Sequence, residues 1–198
     1  MAAPATVDKR RLILDAAVRV FARQGFHTCR VADIADEAQV AYGLVYHYFS
    51  SKEEILDTLF RERWGLMLDA IAEIERQPLS PREKLGAVAD FIIDSYRYDP
   101  DLMKVIIVEV TRAANTFGQT HLADIRRAYR QLASIVERAQ RDGLFRPEIE
   151  PAFAALAFYG LVEQVLTSWI FEAEPVGEEE FERAKRLIVE TIARGLER

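Results

Sequence analysis

The sequence predicts an all-α protein of nine helices. Apolar residues recur at the 3.6-residue spacing of a helix along most of the chain. Only nine glycines and seven prolines occur in 198 residues, and most of them stand where one periodic segment ends and the next begins. The hydrophobic content of 50% and the charged content of 29% are typical of globular proteins. We therefore expect packed helices joined by short breaks.

Three helices are predicted in the first 52 residues. The first covers residues 8–24 and ends at Gly25, a residue type common just past a helix. Its inward residues are Leu12, Ile13, Ala16, Ala17, Val20 and Phe21. The second covers residues 31–38, and its inward residues are Val31, Ile34, Ala35 and Ala38. After a turn at Val40, the third covers residues 42–49 with Val45 and Phe49 inward.

The outer face of the third helix carries small and aromatic side chains and few charges. It consists of Gly43, Leu44 and His47, flanked by the hydroxyl groups of Tyr42, Tyr46 and Tyr48. Such a face suits the DNA major groove, where small and apolar groups meet base edges and hydroxyl groups donate to phosphates. Two short helices joined by a tight turn, the second with this face, are typical of a helix-turn-helix motif.

Residues 31–52, together with the apolar helix that ends in Gly25-Phe26, resemble the DNA-binding domain of the TetR family of bacterial repressors. The resemblance lies in Val31-Ala-Asp-Ile-Ala35 and in Gly43-Leu-Val-Tyr-His-Tyr-Phe-Ser-Ser-Lys-Glu53. It implies a DNA-binding domain over residues 1–52 and a ligand-binding and dimerisation domain over residues 53–198. It also implies a homodimer that binds a palindromic operator and is released by a small-molecule effector.

The sequence departs from the family pattern around the turn. Gln39 stands where the family usually has glycine, Ala41 where it has a serine cap, and Cys29-Arg30 where it has threonine or serine. Each lost cap costs about 1 kcal/mol. We expect these departures to change which operator is bound rather than whether DNA is bound.

Basic residues add expected phosphate contacts. Lys52 opens helix four, whose N-terminus already attracts anions, so we expect it to contact a phosphate. Arg11, beside Lys9 and Arg10, reaches phosphates or forms a solvated basic end of helix one. Residues 1–52 carry seven Lys/Arg and five Asp/Glu, whereas residues 53–198 carry 19 and 27, so the basic charge lies where DNA is expected.

Six further helices are predicted in the remainder of the chain. They begin near residues 52, 81, 99, 120, 151 and 178 and end near residues 76, 98, 110, 142, 172 and 194. The loop between helices six and seven is expected at residues 115–119. Helices six and eight are apolar on most sides, so they should lie centrally. Gly65 and Gly160, inside helices four and eight, indicate close helix contacts or room for a ligand.

Candidate effector-binding residues lie on helices four to eight. They are Trp64, Met67, Phe91, Met103, Ile107, Arg112, Tyr129, Phe158 and Val162. Ordinary core packing is the alternative for each apolar member of this set. Residues 108–112 and 160–169 are similar to the C-terminal region of TetR-family repressors of fatty-acid degradation, which implies a long-chain acyl-CoA effector.

The chemistry of the effector stays open between two classes. Arg112, with Arg126, Arg127 and Arg130, could bind the phosphates of a CoA head group or form a solvated face of helix seven. Glu109 and Glu163, on largely apolar helices, could instead serve a cationic or hydroxylated ligand, as in a multidrug-type regulator.

Self-association and localisation follow from the last two helices and from composition. Helices eight and nine have more apolar surface than one monomer covers, and the family resemblance implies that they form a four-helix bundle with a partner. The single Cys29 fits a reducing cytoplasm. The apolar run 152–162 falls short of a membrane span, so no membrane partner is expected.

An enzyme and an interaction-only module are the competing classes. His27, His47 and His121 are scattered, and no metal-ligand spacing, phosphate-binding glycine loop or nucleophile motif is present. We therefore expect no catalytic residue, no metal and no cofactor. A specific, salt-sensitive DNA complex would exclude the interaction-only class.

Overall fold

The computed structural model describes residues 8–110, 117–172 and 177–197. Within these ranges the chain forms nine α-helices and one π-helical segment, and the predicted all-α class is confirmed. The helices are α1 Lys9–Gln24, α2 Val31–Glu37, α3 Tyr42–Tyr48, α4 Lys52–Arg76, α5 Pro81–Tyr98, α6 Pro100–Val105, α7 Phe117–Arg141, α8 Pro151–Phe171 and α9 Glu178–Leu196. The π segment is Ile106–Val110, directly after α6.

The described residues fall into two compact units. The first contains α1, α2, α3, α4 as far as Arg63, and the α6–π segment from Asp101. The second contains α4 from Trp64, then α5 and α7 to α9. This division differs from the expected boundary between residues 52 and 53. The reason is that α4 is one continuous helix, so the contacts change partway along it rather than at a linker.

The first unit is built around the apolar face of α1. Its core residues are buried almost completely and comprise Ile13, Ala17, Val20, Phe21, Ile34, Val45, Phe49, Ile55 and Phe60. Across the surface, Glu37 of α2 accepts hydrogen bonds from Arg19 (2.7 Å) and Arg23 (3.1 Å) of α1. These bonds, that from Arg19 first, lower the pKa of Glu37. The helix-turn-helix pair is therefore held on α1 by both its apolar and its charged sides.

The end of the predicted sixth helix is wrong in detail. An α-helix was expected through residue 110, but α6 ends at Val105 and a π turn follows. The inward spacing alone does not distinguish the two, because a π turn accommodates one extra residue while keeping apolar side chains buried. Met103, Val105, Ile106 and Ile107 are buried as expected for a central segment.

The start of the seventh helix also differs. It begins at Phe117 rather than near residue 120, so part of the loop expected at 115–119 is helical. The rest of that loop, residues 115 and 116, lies outside the described residues.

The core of the second unit runs along α8. Phe158, Val162, Leu166 and Trp169 are buried on one side of this helix, which packs against α7 and α9. Its other side stays exposed at Phe153, Leu156 and Phe171. This helix is long and apolar enough to cross a membrane by length and composition, unlike the shorter run 152–162. One such helix is weak evidence for a membrane span, since the core helix of a soluble protein passes the same test.

The two glycines inside helices do not mark close helix contacts. A Cβ atom at Gly65 or Gly160 would meet no heavy atom of another residue within 4 Å in the described part of the chain. Close packing, one of the two roles expected for these positions, is therefore wrong. Both positions have open space beside them.

Candidate DNA-binding surface

The outer face of α3 is exposed to solvent. Tyr42 and Tyr46 are 53% and 46% exposed, and Gly43, His47 and Tyr48 are exposed as well. Leu44 is half-buried. Val45 and Phe49 are buried beneath this face and fix its orientation on the first unit. Of the three residues predicted to face base edges, Gly43 and His47 are therefore exposed on the solvent side of the helix, and Leu44 is only partly exposed there.

Two tyrosines on successive turns of α3 form a pair. The Tyr42 hydroxyl donates a hydrogen bond to the Tyr46 hydroxyl at 3.2 Å, and their rings meet edge to face with centroids 5.1 Å apart. The contact with Tyr42 raises the pKa of Tyr46. A tyrosine hydroxyl of ordinary pKa, about 10, is already protonated at neutral pH. The pair therefore presents neutral hydroxyl groups on a rigid aromatic base, which suits donation to phosphate oxygens.

Lys52 has a different partner from the phosphate that the sequence suggested. Its ammonium group donates to the carbonyl oxygens of Phe26 (2.8 Å), Cys29 (3.0 Å) and His27 (3.4 Å), and it lies 4.7 Å from the centre of the Phe26 ring. An ammonium group has three N–H donors, so this loop engages all of them. Lys52 in this structure closes the α1–α2 loop onto the start of α4.

Arg11 is also engaged within the protein. Its guanidinium group pairs with Asp15 at 2.9 Å and with Glu62 of α4 at 3.6 Å. Its neighbour Arg10 pairs with the same Glu62 at 3.1 Å and lies 5.4 Å from the centre of the Phe49 ring. Lys9 is exposed and has no ion pair within the described residues. At this end of α1, Lys9 is therefore the most available cation.

Arg30 is a candidate contact that the sequence reasoning did not include. Its side chain is 81% exposed at the N-terminus of α2, and among the described residues its guanidinium group has one ion pair, at 3.4 Å to Asp33. Asp33 also accepts the Arg30 backbone N–H at 2.8 Å, which holds the helix start in place. Helix periodicity could not show this exposure, because Arg30 is the N-cap residue and precedes the first helical position of α2.

The turn between α2 and α3 carries backbone strain. Gln39 has φ of 54°, and among the described non-glycine residues it alone has a positive φ. Ala41 stands at the N-cap of α3 and makes no side-chain capping bond. The two departures from the family pattern at Gln39 and Ala41 therefore correspond to a strained backbone at the first and a missing capping bond at the second.

The expected effector-binding residues are distributed over both units. In the second unit, Trp64, Met67, Phe158 and Val162 are buried, and Phe91 and Tyr129 are half-buried. In the first unit, Met103 and Ile107 are buried on the α6–π segment. Arg112 lies outside the described residues.

Tyr159 connects two of these side chains and was missed. Its ring lies 6.1 Å from that of Trp64 and 5.5 Å from that of Tyr129, measured between centroids. Burial, and next the charge of Glu163, raise the pKa of Tyr129. The three rings form an aromatic cluster inside the second unit. No periodic signal singles out Tyr159, because it lies on a helix that is apolar on nearly all sides.

The geometry of the first unit defines a DNA-binding protein of the helix-turn-helix class. The model of the tetR family of bacterial regulatory proteins matches residues 13–59, and that of the tetracyclin repressor-like C-terminal domain matches residues 81–192. The chain belongs to the TetR family and is a TetR-type DNA-binding transcriptional repressor.

Among curated relatives, the fatty acid metabolism regulator protein of Bacillus subtilis is 30% identical over 159 residues, covering 80% of this chain and 81% of that protein. The repressor KstR2 of Rhodococcus jostii is 28% identical over 163 residues, covering 82% and 77% of the two chains. The structure of the regulator FadR from Bacillus subtilis, in complex with stearoyl-CoA, superposes with a TM-score of 0.82 at 25% identity, covering 93% of this chain and 98% of that one. The chain therefore resembles regulators of fatty-acid metabolism over most of its length.

Proposed function

We propose that this repressor acts as a homodimer on a palindromic operator and is released from it by long-chain acyl-CoA, so that it controls fatty-acid metabolism. The observation that carries the effector is the similarity to a regulator whose structure contains stearoyl-CoA. Bound to its operator, the protein works in the bacterial cytoplasm. The effector acts by binding one conformation of the repressor more tightly than the other.

Side chains of the second unit support an acyl-CoA effector. The cluster of Trp64, Tyr129 and Tyr159 supplies the apolar surface that an acyl chain needs. On α7, Arg126, Arg127 and Arg130 are exposed and form no ion pair within the described residues. Guanidinium groups bind phosphates through paired N–H donors. They are therefore available for the phosphates of a CoA head group.

The exposed apolar side of α8 supports a homodimer. Phe153, Leu156 and Phe171 are exposed there, and Leu187 is exposed on α9. A second copy of the same surface would cover these side chains, which is how a two-fold interface is built. Two α3 helices related by such an axis would enter successive major grooves about 34 Å apart.

A DNA-binding experiment tests the assignment of the α3 face. We expect Tyr46→Phe to weaken binding to every sequence, because it removes a hydroxyl that donates to phosphate. Leu44→Ala and His47→Ala should instead change which sequences are preferred. The measurement is selection from a random duplex library at fixed salt, followed by anisotropy titrations. If sequence preference is untouched in both Leu44→Ala and His47→Ala, the face is assigned wrongly.

An operator-release experiment tests the effector. We expect stearoyl-CoA and palmitoyl-CoA to weaken operator binding at least tenfold, with CoA and free stearate as controls. Arg126→Ala and Arg130→Ala should weaken the binding of acyl-CoA and leave the affinity for DNA unchanged. Release by stearate but not by its CoA ester would contradict the CoA assignment.

A cationic or otherwise apolar effector is the second candidate. The observation that favours it is Glu163, whose charge raises the pKa of the half-buried Tyr129 and so acts on the aromatic cluster. A carboxylate beside aromatic rings suits a cation. Release of the operator by a cationic dye such as ethidium at micromolar concentration, with no response to acyl-CoA, would favour this candidate.

A further inference from the structure

We infer that Glu109 is a positioning residue that couples effector binding to the DNA-binding surface by holding the backbone of Phe26. The inference depends on the proposed function, because it gives the effector signal a path through the first unit. Glu109 lies on the π segment, and Phe26 lies in the loop between α1 and α2.

The contact joins parts of the first unit that are 83 residues apart in sequence. One carboxylate oxygen of Glu109, Oε1, accepts the backbone N–H of Phe26 at 3.2 Å in a part-buried site. A Cβ atom placed on Gly25 would lie only 3.8 Å from the same oxygen. The carboxylate therefore lies directly against the loop backbone, and its charge strengthens the hydrogen bond that it accepts.

Lys52 holds the same loop residue from its carbonyl side. The ammonium group donates to the Phe26 carbonyl at 2.8 Å, so Phe26 is fixed at its N–H by a carboxylate and at its C=O by an ammonium. Lys52 is the first residue of α4 and follows the end of α3 at Tyr48 by four residues. A displacement of the π segment is thereby transmitted through Phe26 and Lys52 to the junction that carries α3.

Glu109 lies on the same segment as two of the expected effector-binding residues, so effector binding could move it. Met103 and Ile107 are buried on the same α6–π segment, and Ile107 lies two residues before Glu109. π turns inside helices occur frequently at functional sites. An effector that repacks Met103 or Ile107 changes the register of this turn and with it the reach of the Glu109 carboxylate.

Three variants test the coupling. Glu109→Ala removes the acceptor, Glu109→Gln keeps an oxygen but no charge, and Asp101→Ala removes an exposed carboxylate from the same segment as a matched control. For each, the operator Kd is measured with and without saturating stearoyl-CoA. The ratio of the two Kd values is the coupling. Stearoyl-CoA affinity is measured separately by titration.

We expect Glu109→Ala to lower the coupling ratio at least fivefold, while operator affinity without effector stays within threefold of the original and acyl-CoA still binds. Glu109→Gln should give an intermediate ratio, and Asp101→Ala an unchanged one. An unchanged ratio in Glu109→Ala overturns the inference. So does an equal loss in Asp101→Ala. If Glu109→Ala does not fold, Glu109→Gln decides by the same criterion.

A measurement without effector separates this inference from the proposed function. If the original protein does not respond to acyl-CoA, the proposed effector is wrong, and amide hydrogen exchange then decides the role of Glu109. The amides of Phe26 and of Ile55, which donates to the Ser51 carbonyl at 3.3 Å, should both exchange faster in Glu109→Ala than in Asp101→Ala. Faster exchange at Phe26 alone, or at neither amide, overturns the inference.

Discussion

The ammonium group of Lys52 shows how one side chain decides between a DNA contact and a structural role. Three carbonyl oxygens of the α1–α2 loop accept its N–H groups at 2.8 to 3.4 Å. These oxygens are otherwise without helical partners, because they follow the end of α1. The interaction is therefore part of the fold of the first unit.

We expect Lys52→Met to destabilise the first unit by about 2 kcal/mol, since a hydrogen-bonded charged group contributes about 1.5–3 kcal/mol. Hydrogen exchange at the most protected amides of α1 and α2 measures this loss, because these amides exchange faster when the unit is less stable. The matched control is Lys9→Met, because Lys9 is exposed and unpaired among the described residues. Should both variants be equally stable, and Lys52→Met reduce the salt dependence of DNA binding by about one phosphate contact, the phosphate role would be correct instead.

At this scale the sequence predicted which residues of α3 face outward but not the partners that the cations have within the protein. The outward set depends only on helix periodicity, and Val45 and Phe49 are buried as expected. The partners of Lys52 and Arg11 depend on where the α1–α2 loop and Glu62 lie in three dimensions. No local pattern contains that information. Arg30 was overlooked because its position was considered only for the capping hydroxyl group that it lacks.

The turn between α2 and α3 sets how these two elements meet. Gln39 adopts φ of 54° there, in the left-handed region that glycine tolerates best. The left-handed conformation costs a non-glycine residue about 1–2 kcal/mol. The packing of the α2–α3 pair therefore holds Gln39 in a backbone conformation that the residue itself disfavours.

We expect Gln39→Gly to stabilise the helix-turn-helix by about 1 kcal/mol, the strain relieved less the extra freedom of glycine when unfolded. The amide of Val40, which donates to the Ala35 carbonyl at 3.0 Å, reports this through slower hydrogen exchange. Gln39→Ala is the control, because alanine shares the strain of glutamine. Faster exchange in Gln39→Gly than in Gln39→Ala would show that the turn is not strained.

Helix positions could be predicted well, with two exceptions. Proline and glycine punctuation located the starts of α5 and α8 at Pro81 and Pro151, as the structure has them. The π turn at Ile106–Val110 and the early start of α7 were not predicted. An apolar run is buried equally well in an α-helix and in a π turn, so composition does not distinguish the two forms at Ile106–Val110.

At the scale of the whole molecule, α8 is the element whose surface needs a partner. Its buried side forms the core of the second unit, whereas Phe153, Leu156 and Phe171 remain in solvent. Large apolar groups along one exposed helix face are typical of an interface. A second copy is the partner that we propose.

We expect Leu156→Glu to convert a dimer into a monomer, because it places a charge in the middle of the α8 interface. Sedimentation velocity at micromolar concentration measures the change in mass. The matched control is Leu66→Glu on α4, since Leu66 is 60% exposed and Leu156 is 53% exposed. A protein that is monomeric before mutation, or a Leu156→Glu variant that remains dimeric, contradicts the proposal.

The proposed homodimer was predicted from excess apolar surface on the last two helices and from the family resemblance. A single chain contains the exposed residues of an interface but not their register against a partner. The same limit applies to the proposed effector site. Its expected residues lie partly on the α6–π segment and partly on α4 and α8, and their periodicity is also that of an ordinary core.

The Cys29 thiol offers a chemical report on the loop that Lys52 and Glu109 hold. It is buried, it donates to the same Phe26 carbonyl at 3.2 Å, and burial raises its pKa. A thiol in this state reacts slowly with disulfide reagents until the backbone around it opens. The rate of its modification therefore reports how readily the α1–α2 loop opens, and no label has to be introduced.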